Sequence, residues 1–161
     1  DGHAKGVPLR GLALALHEPV GVVAAFCADE CPILGLISAL GPALAMGNRC
    51  VLIASEPFPL IATDFYQILE TSDVPAGVVN ILTGCHRDLA EPVASHLNLD
   101  AVWSFSSSDL SAQIETASAG NLKRTWVNNG RQPDWFSNAA EGRSFLAAAT
   151  EVKTVWVPYG E

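Results

Sequence analysis

Hydrophobic residues in this chain fall into short uninterrupted runs, and the clearest series lies between Gly21 and Glu56. Residues 22–27 are apolar and partly β-branched, which is the pattern of a buried strand. From residue 33 to residue 46 almost every position is apolar, which predicts a helix buried on most of its surface. Residues 50–54 form a second apolar run and predict another central strand. The segment is therefore a predicted β-α-β unit.

Residues that start and stop helices flank the predicted helix at 33–46. Asp29 and Glu30 stand where an N-cap and a first turn belong, and Pro32 suits the first helical position. Gly47, followed by Asn48, supplies the left-handed turn that commonly ends a helix. The sequence thus predicts that acidic side chains cap the start of this helix.

Strands and helices continue to alternate along the chain, as apolar runs and helical periodicity indicate. Further strands are expected at 12–17, 78–82, 101–105, 125–127 and 154–158, the last at a sheet edge, and further helices at 60–71, 87–96, 109–119 and 142–150. This alternation predicts an α/β fold, a Rossmann-like doubly wound parallel sheet with helices on both faces. Residues 1–10 are expected to be an irregular lead-in, and the pattern is lost after Asn128.

Composition and charge narrow the class of protein. With 161 residues, 49% of them hydrophobic and 16% charged, the chain is expected to form a single globular domain over 1–161. No apolar run reaches the roughly 20 residues that a membrane span requires. A net charge of −8 argues against nucleic acid and anionic membranes as partners. Because the chain begins at Asp1 without a signal-peptide pattern, we expect an excerpt of a longer protein.

The four cysteines, at positions 27, 31, 50 and 85, match no zinc-binding spacing. Two of them fall in predicted buried elements, so we expect reduced structural thiols in a cytoplasmic protein. Disulfides or a metal are the alternatives. The four histidines are scattered and are expected at the surface or at helix ends, so no metal site is predicted.

Several motifs resemble those of the aldehyde dehydrogenase superfamily. Residues 21–56 resemble the segment in which G-V-V, a P-W-N-x-P loop, G-P-A-L-A-x-G-N and a strand ending in K-x-x-E build the family's cofactor domain. Residues 75–80 resemble its F-P-x-G-V-x-N, 94–96 its A-x-H and 121–124 its N-L-K-R. The phrases DECPIL, TASAGNLK and KTVWVPYGE are most similar to the shortened, non-catalytic C-terminal unit of family 16 aldehyde dehydrogenases.

The resemblance implies roles for the two ends of the chain. Residues 11–27 are similar to a stretch that supplies a projecting β-hairpin and the first strand, and the family uses that hairpin for oligomer contacts. We therefore expect a second copy, another protein, or a preceding aldehyde dehydrogenase unit of the same polypeptide to cover its edge. Residues 129–161 are a divergent tail, and its last strand loosely resembles the family's T-V-W-V-N.

The resemblance also implies which positions carried the family's chemistry, which needs a thiolate, an oxyanion donor and a carboxylate base. Glu30 stands where the oxyanion-binding Asn is found, and a carboxylate has no proton to donate. Asn128 stands where the general-base Glu is found, and an amide cannot take up a proton at neutral pH. No cysteine follows Cys85, so the nucleophile has no match. Cys31 is a poor substitute, because acidic neighbours oppose thiolate formation.

The implied cofactor site is reduced as well. Ile53 replaces the Lys of K-x-x-E, whereas Glu56 remains. Residues 106–111 match the phosphate-binding turn G-S-T-x-x-G without its glycines, although Ser107 is kept and a helix start could still offer N–H groups to an anion. Asp109 adds a negative charge there. Glu56 and Ser107 are the candidate residual cofactor residues; no cofactor is expected, and NAD is the alternative.

Three functions follow from these patterns and remain open. The first is a non-catalytic aldehyde dehydrogenase-like module with a structural or protein-interaction role in a larger protein. The second is a residual NAD(P)- or nucleotide-binding module without catalysis. The third is a fragment of an active NAD-dependent aldehyde oxidoreductase whose partner unit supplies the cysteine.

Overall fold

The computed structural model describes residues 2–6 and 11–158. The strands in chain order are β1 (His3–Lys5), β2 (Gly11–Pro19), β3 (Val22–Phe26), β4 (Arg49–Ile53), β5 (Val79–Leu82), β6 (Ala101–Ser104), β7 (Arg124–Val127) and β8 (Thr150–Pro158). The α-helices are α1 (Pro32–Ala45), α2 (Pro59–Thr71), α3 (His86–Ser95), α4 (Ser108–Ser118) and α5 (Arg143–Ala148). In these described ranges no helix has the length and apolarity needed to cross a membrane.

Five strands form a parallel sheet in the order β5-β4-β3-β6-β7. The apolar strand β3 lies at its centre, where Val23 is in register with Cys50 of β4 and Ala101 of β6. One hydrophobic cluster includes side chains of α1, α2 and α5, and a second includes side chains of α3 and α4. The predicted α/β fold, a doubly wound parallel sheet with helices on both faces, is confirmed.

A second, antiparallel sheet has the order β1-β2-β8. Within the stretch at residues 11–27, β2 belongs to this antiparallel sheet, where it pairs with β1 and β8, and β3 belongs to the parallel sheet. Gly21, which has a φ of +129°, stands between the two strands, and β3 continues into the buried parallel sheet. β2 instead pairs along its full length with β8, from Gly11 opposite Pro158 to Pro19 opposite Thr150.

The expectation of an irregular lead-in over residues 1–10 is wrong for residues 3–5, because they form β1 and pair with β2. Positions 1 and 7–10 of that lead-in lie outside the described residues. Up to residue 158 the tail is part of the fold, since Trp135 and Phe145 are buried in the core. Its last strand lies at a sheet edge as predicted, although in the antiparallel sheet, and residues 159–161 lie outside the described part.

Asn48 connects the two sheets and the tail. Its side chain is 2% exposed; Oδ1 accepts the amide proton of Gly21 at 2.9 Å, and Nδ2 donates to the carbonyl oxygens of Ala43 at 3.0 Å and Ala149 at 2.8 Å. Gly21 is required at this junction, because a Cβ there would lie 2.2 Å from Oδ2 of Asp100. These contacts fix where the antiparallel sheet leaves the parallel one.

Candidate functional site

A cleft of about 610 Å³ opens at the carboxyl ends of the parallel strands. Asp29 follows β3, Glu56 follows β4, and Ser106 and Ser107 follow β6, and all four residues line the cleft. The strand order reverses between β3 and β6, and doubly wound folds bind ligands in the crevice beside such a reversal. The two candidate cofactor residues, Glu56 and Ser107, are therefore brought together in one cleft.

Glu56 holds the start of α3. Its carboxylate accepts the backbone N–H of His86, the first residue of that helix, and its own N–H donates to Oδ1 of Asp29 at 3.0 Å. A carboxylate at a helix N-terminus satisfies an unpaired amide and interacts favourably with the helix dipole. One oxygen of Glu56 is thus engaged within the protein.

His86 is buried beneath the cleft, at the helix end where the sequence placed it but with only 2% of its surface exposed. Its Nε2 lies 2.7 Å from the carbonyl oxygen of Ala54, which assigns the proton to Nε2 because a carbonyl can only accept. The ring meets Phe26 edge-on with centroids 5.4 Å apart. Nδ1 is buried and has no hydrogen-bond partner among the residues that the structure describes. The imidazole is held as part of the packing.

Ser107 caps α4. Its Oγ accepts the amide proton of Leu110 at 3.2 Å, and its carbonyl oxygen accepts the hydroxyl proton of Ser111 at 3.1 Å. The exposed Asp109 stands in the first turn of the same helix and lines the cleft. Arg87 is the one lysine or arginine among the described residues that line the cleft, against three carboxylates. This balance disfavours a pyrophosphate.

Glu30 lies outside the cleft lining, and the expectation that acidic residues cap α1 is wrong. The N-cap of α1 is Cys31, which makes no side-chain capping bond, whereas Asp29 accepts from Glu56. Glu30 Oε1 instead accepts the indole N–H of Trp135 at 2.9 Å. Trp135 is buried and meets Phe105 edge-on at 5.4 Å. The tail thereby binds the loop that follows β3.

Asn128 stabilises the turn that follows β7. Its Nδ2 donates to the carbonyl oxygen of Arg131 at 3.0 Å, and its Oδ1 accepts the amide proton of Gly130 at 3.3 Å. Gly130 has a φ of +73°, and a Cβ there would lie 3.1 Å from the backbone nitrogen of Ser108. Both polar groups of the Asn128 side chain are therefore used inside this turn.

All four cysteines are unpaired thiols. Burial raises the pKa of Cys50 to about 12, and burial together with the Asp29 carboxylate raises that of Cys27 to about 12. Cys31 is half-buried and Cys85 is exposed at the edge of the cleft. The thiols of Cys27 and Cys50, whose pKa is raised, stay protonated at neutral pH and are poor nucleophiles.

Sequence reasoning missed two residues around these positions. Trp135 lies in a stretch without helical or strand periodicity, and only its large apolar ring pointed to burial. Arg87 was placed in a helix without a role. The site that results has an acidic cleft at the strand ends and, separately, a loop whose carboxylate is bonded to the tail.

Comparison with known proteins agrees with the resemblance to the aldehyde dehydrogenase superfamily. The model of the aldehyde dehydrogenase family matches residues 3–135, and the chain belongs to this family. It is 35% identical over 120 residues to an NADP/NAD-dependent aldehyde dehydrogenase of Escherichia coli strain K12, covering 74% of this chain. It is 33% identical over 143 residues to the mitochondrial aldehyde dehydrogenase of Homo sapiens, covering 86%.

Solved structures of relatives share the fold. An indole-3-acetaldehyde dehydrogenase in its apo form superposes with a TM-score of 0.76 at 34% identity, over 81% of this chain and 30% of that one. The matches span 24% of the Escherichia coli relative and 28% of the human one. The chain therefore corresponds to a minor part of these relatives.

Proposed function

We propose that this chain is a non-catalytic aldehyde dehydrogenase-family module with a structural or protein-interaction role in a larger protein of the family, similar to the C-terminal unit of family 16. The observation that carries the proposal is the hydrogen bond between Glu30 and Trp135. In the family, as the resemblance implies, the position of Glu30 donates a hydrogen bond to the oxyanion. A carboxylate can only accept there, and its negative charge opposes the charge that develops in the transition state.

The position of the general base supports the same proposal. As the resemblance implies, Asn128 stands where the family has its Glu. Its side-chain amide is hydrogen-bonded to the backbone of Arg131 and Gly130. An amide in that role cannot activate water. Within this chain the buried thiols of Cys27 and Cys50 are protonated at neutral pH, so they are unsuited to attack an aldehyde.

The proposal is tested by assaying the chain for NADH or NADPH formation with short aliphatic and aromatic aldehydes. An active family member assayed in parallel provides the positive control. We expect no turnover above the cofactor-only background. Turnover that is lost in Cys31→Ala or Cys85→Ala would overturn the proposal and identify a nucleophile.

A second candidate function is residual nucleotide binding, favoured by the cleft that holds Glu56 and Ser107. The relatives named above include an NADP/NAD-dependent enzyme. Calorimetric titration of NAD and then NADP tests it, with Glu56→Ala, Ser107→Ala and the control Glu91→Ala. The first proposal expects no heat at millimolar cofactor; saturable binding weakened only by the first two variants would establish the second.

The third possibility, a fragment of an active oxidoreductase that receives a cysteine from a partner unit, predicts activity on adding that unit. Partners of the proposed module are a preceding aldehyde dehydrogenase unit, a further copy or another protein, and the cytoplasm is the proposed location. The antiparallel sheet offers one contact surface, because Val152 and Trp156 are exposed on the same face of β8.

A further inference from the structure

A groove of about 360 Å³ runs between α1 and α2 and shares no residue with the cleft. Its walls are mostly aliphatic, and the residues that line it include Ile33, Ile37, Ile61, Asp64, Phe65 and Ile68. Asp64 is the charged residue among the described residues that line it. The groove is thus an apolar surface with a single carboxylate.

Three isoleucines in the walls of the groove are exposed. Ile33 is 56% exposed, Ile37 40% and Ile68 53%. Leu60 and Phe58, at the start of α2, are more than half exposed as well. Single exposed apolar residues are ordinary, but a contiguous apolar patch marks an interaction surface.

The spacing of these residues fits a helix. Ile33 and Ile37 are four residues apart on α1, and Ile61, Phe65 and Ile68 recur at four and three residues on α2. Each set forms a ridge along its helix, because residues three or four apart lie on the same side. Two ridges with a groove between them are how amphipathic helices are bound on helical surfaces.

The charges on the two helices of the groove indicate the charge of a partner that would bind there. Helix α1 carries no charged residue from Pro32 to Ala45. Helix α2 carries two charged side chains, Asp64 and Glu70, and both are acidic. A partner that binds here therefore gains from positive charge. A second copy of this chain is disfavoured, because it would bring another Asp64 and a net charge of −8 to the same contact.

We infer that this groove binds a cationic amphipathic helix of a partner protein. Its apolar side contacts Ile33, Ile37 and Ile68, and a lysine or arginine beside that stripe reaches Asp64. The inference rests on the interaction role proposed above and specifies the chemistry of the partner.

Fluorescence anisotropy of a labelled model helix built from leucine and lysine tests the inference against the 161-residue chain. We expect saturable binding that Ile37→Asp and Asp64→Lys each weaken roughly tenfold or more. Leu97→Asp and Glu91→Lys are the matched controls, since both residues are exposed and lie outside the groove. The controls should bind as the unmodified chain does, and circular dichroism checks that every variant is folded.

Absence of saturable binding, or equal binding by all four variants, would overturn the inference. So would equal affinity for a leucine–glutamate helix, or a dimer in sedimentation that Ile68→Asp dissociates. Aldehyde turnover is measured separately. If the chain binds no peptide and turns over no aldehyde, only the inference about the groove is rejected. If it binds the peptide but turns over aldehyde, the proposed non-catalytic role is rejected instead.

Discussion

Trp135 donates its indole N–H to Glu30 at 2.9 Å although the two residues are 105 positions apart in the chain. The contact joins the tail to the loop between β3 and α1. Its acceptor is the carboxylate that stands, as the resemblance implies, where the family has its oxyanion donor. The hydrogen bond engages this carboxylate within the fold.

Trp135→Phe should lower the free energy of unfolding by about 1 kcal/mol, because the ring is kept and the charge-assisted hydrogen bond is lost. Trp135→Ala should cost about 3–5 kcal/mol, since it also removes the packing against Phe105. Urea unfolding measures both values.

A double-mutant cycle of Trp135→Phe with Glu30→Ala isolates the pair, and we expect a coupling of about 1 kcal/mol. Phe136→Leu is the control, because Phe136 is 88% exposed and should change stability by less than about 0.5 kcal/mol. A coupling indistinguishable from zero would contradict the contact.

Asn48→Ala should be the most destabilising single change at a polar residue, at about 3 kcal/mol. It removes the side-chain acceptor of the Gly21 amide and one of the two donors to each of the carbonyls of Ala43 and Ala149, in a buried setting. Chemical denaturation of the variant beside Asn98→Ala, at an exposed asparagine, measures the difference. Equal midpoints for the two variants would show that Asn48 does not hold this junction.

Ser107→Ala should cost about 1 kcal/mol because α4 loses its N-cap acceptor. Ser107→Asn should restore most of that loss, since asparagine is an equally good N-cap. Thermal unfolding of the three proteins gives the comparison. Unchanged stability in Ser107→Ala would show that the Ser107 side chain does not stabilise α4 as its N-cap.

Alkaline pH should destabilise the chain through its buried thiols. The pKa of Cys50 rises from 9.0 to about 12 on folding, so above pH 9 the unfolded chain releases a proton that the folded chain keeps. The unfolded state then binds fewer protons, and stability falls with rising pH by roughly 1.4 kcal/mol per unit for each such thiol until the folded pKa is reached.

Unfolding under reducing conditions at pH 8, 9, 10 and 11 measures this slope. Cys50→Ala should reduce this slope between pH 9 and 11, and Cys85→Ala, which removes an exposed thiol, is the control. Identical slopes in all three proteins would mean that Cys50 ionises in the folded chain.

The sequence could predict the parallel sheet because its signals are local. The apolar run that became β3, the proline that starts α1 and Gly47, which has a φ of +87°, are read within a few residues. It could also place Glu56 and Ser107 at strand ends, because both directly follow predicted strands. The pairing of such side chains with particular amides required coordinates.

Contacts between distant parts of the chain could not be predicted. Asp29 and Glu30 are residue types that commonly cap a helix. In the structure their carboxylates instead accept hydrogen bonds from Glu56 and Trp135, which are distant in sequence. The same holds for the pairing of β2 with β8, because the whole parallel sheet separates these two strands along the chain.

The pairing of β2 with β8 has a consequence for synthesis. Leu12, Leu14 and Leu16 are synthesised before their register partners Val157, Val155 and Lys153, with the whole parallel sheet in between. At roughly 5–20 residues per second, β2 waits on the order of ten seconds without the strand that covers this edge. A nascent chain of this module therefore presents an open strand edge to chaperones and to neighbouring ribosomes until β8 has been synthesised.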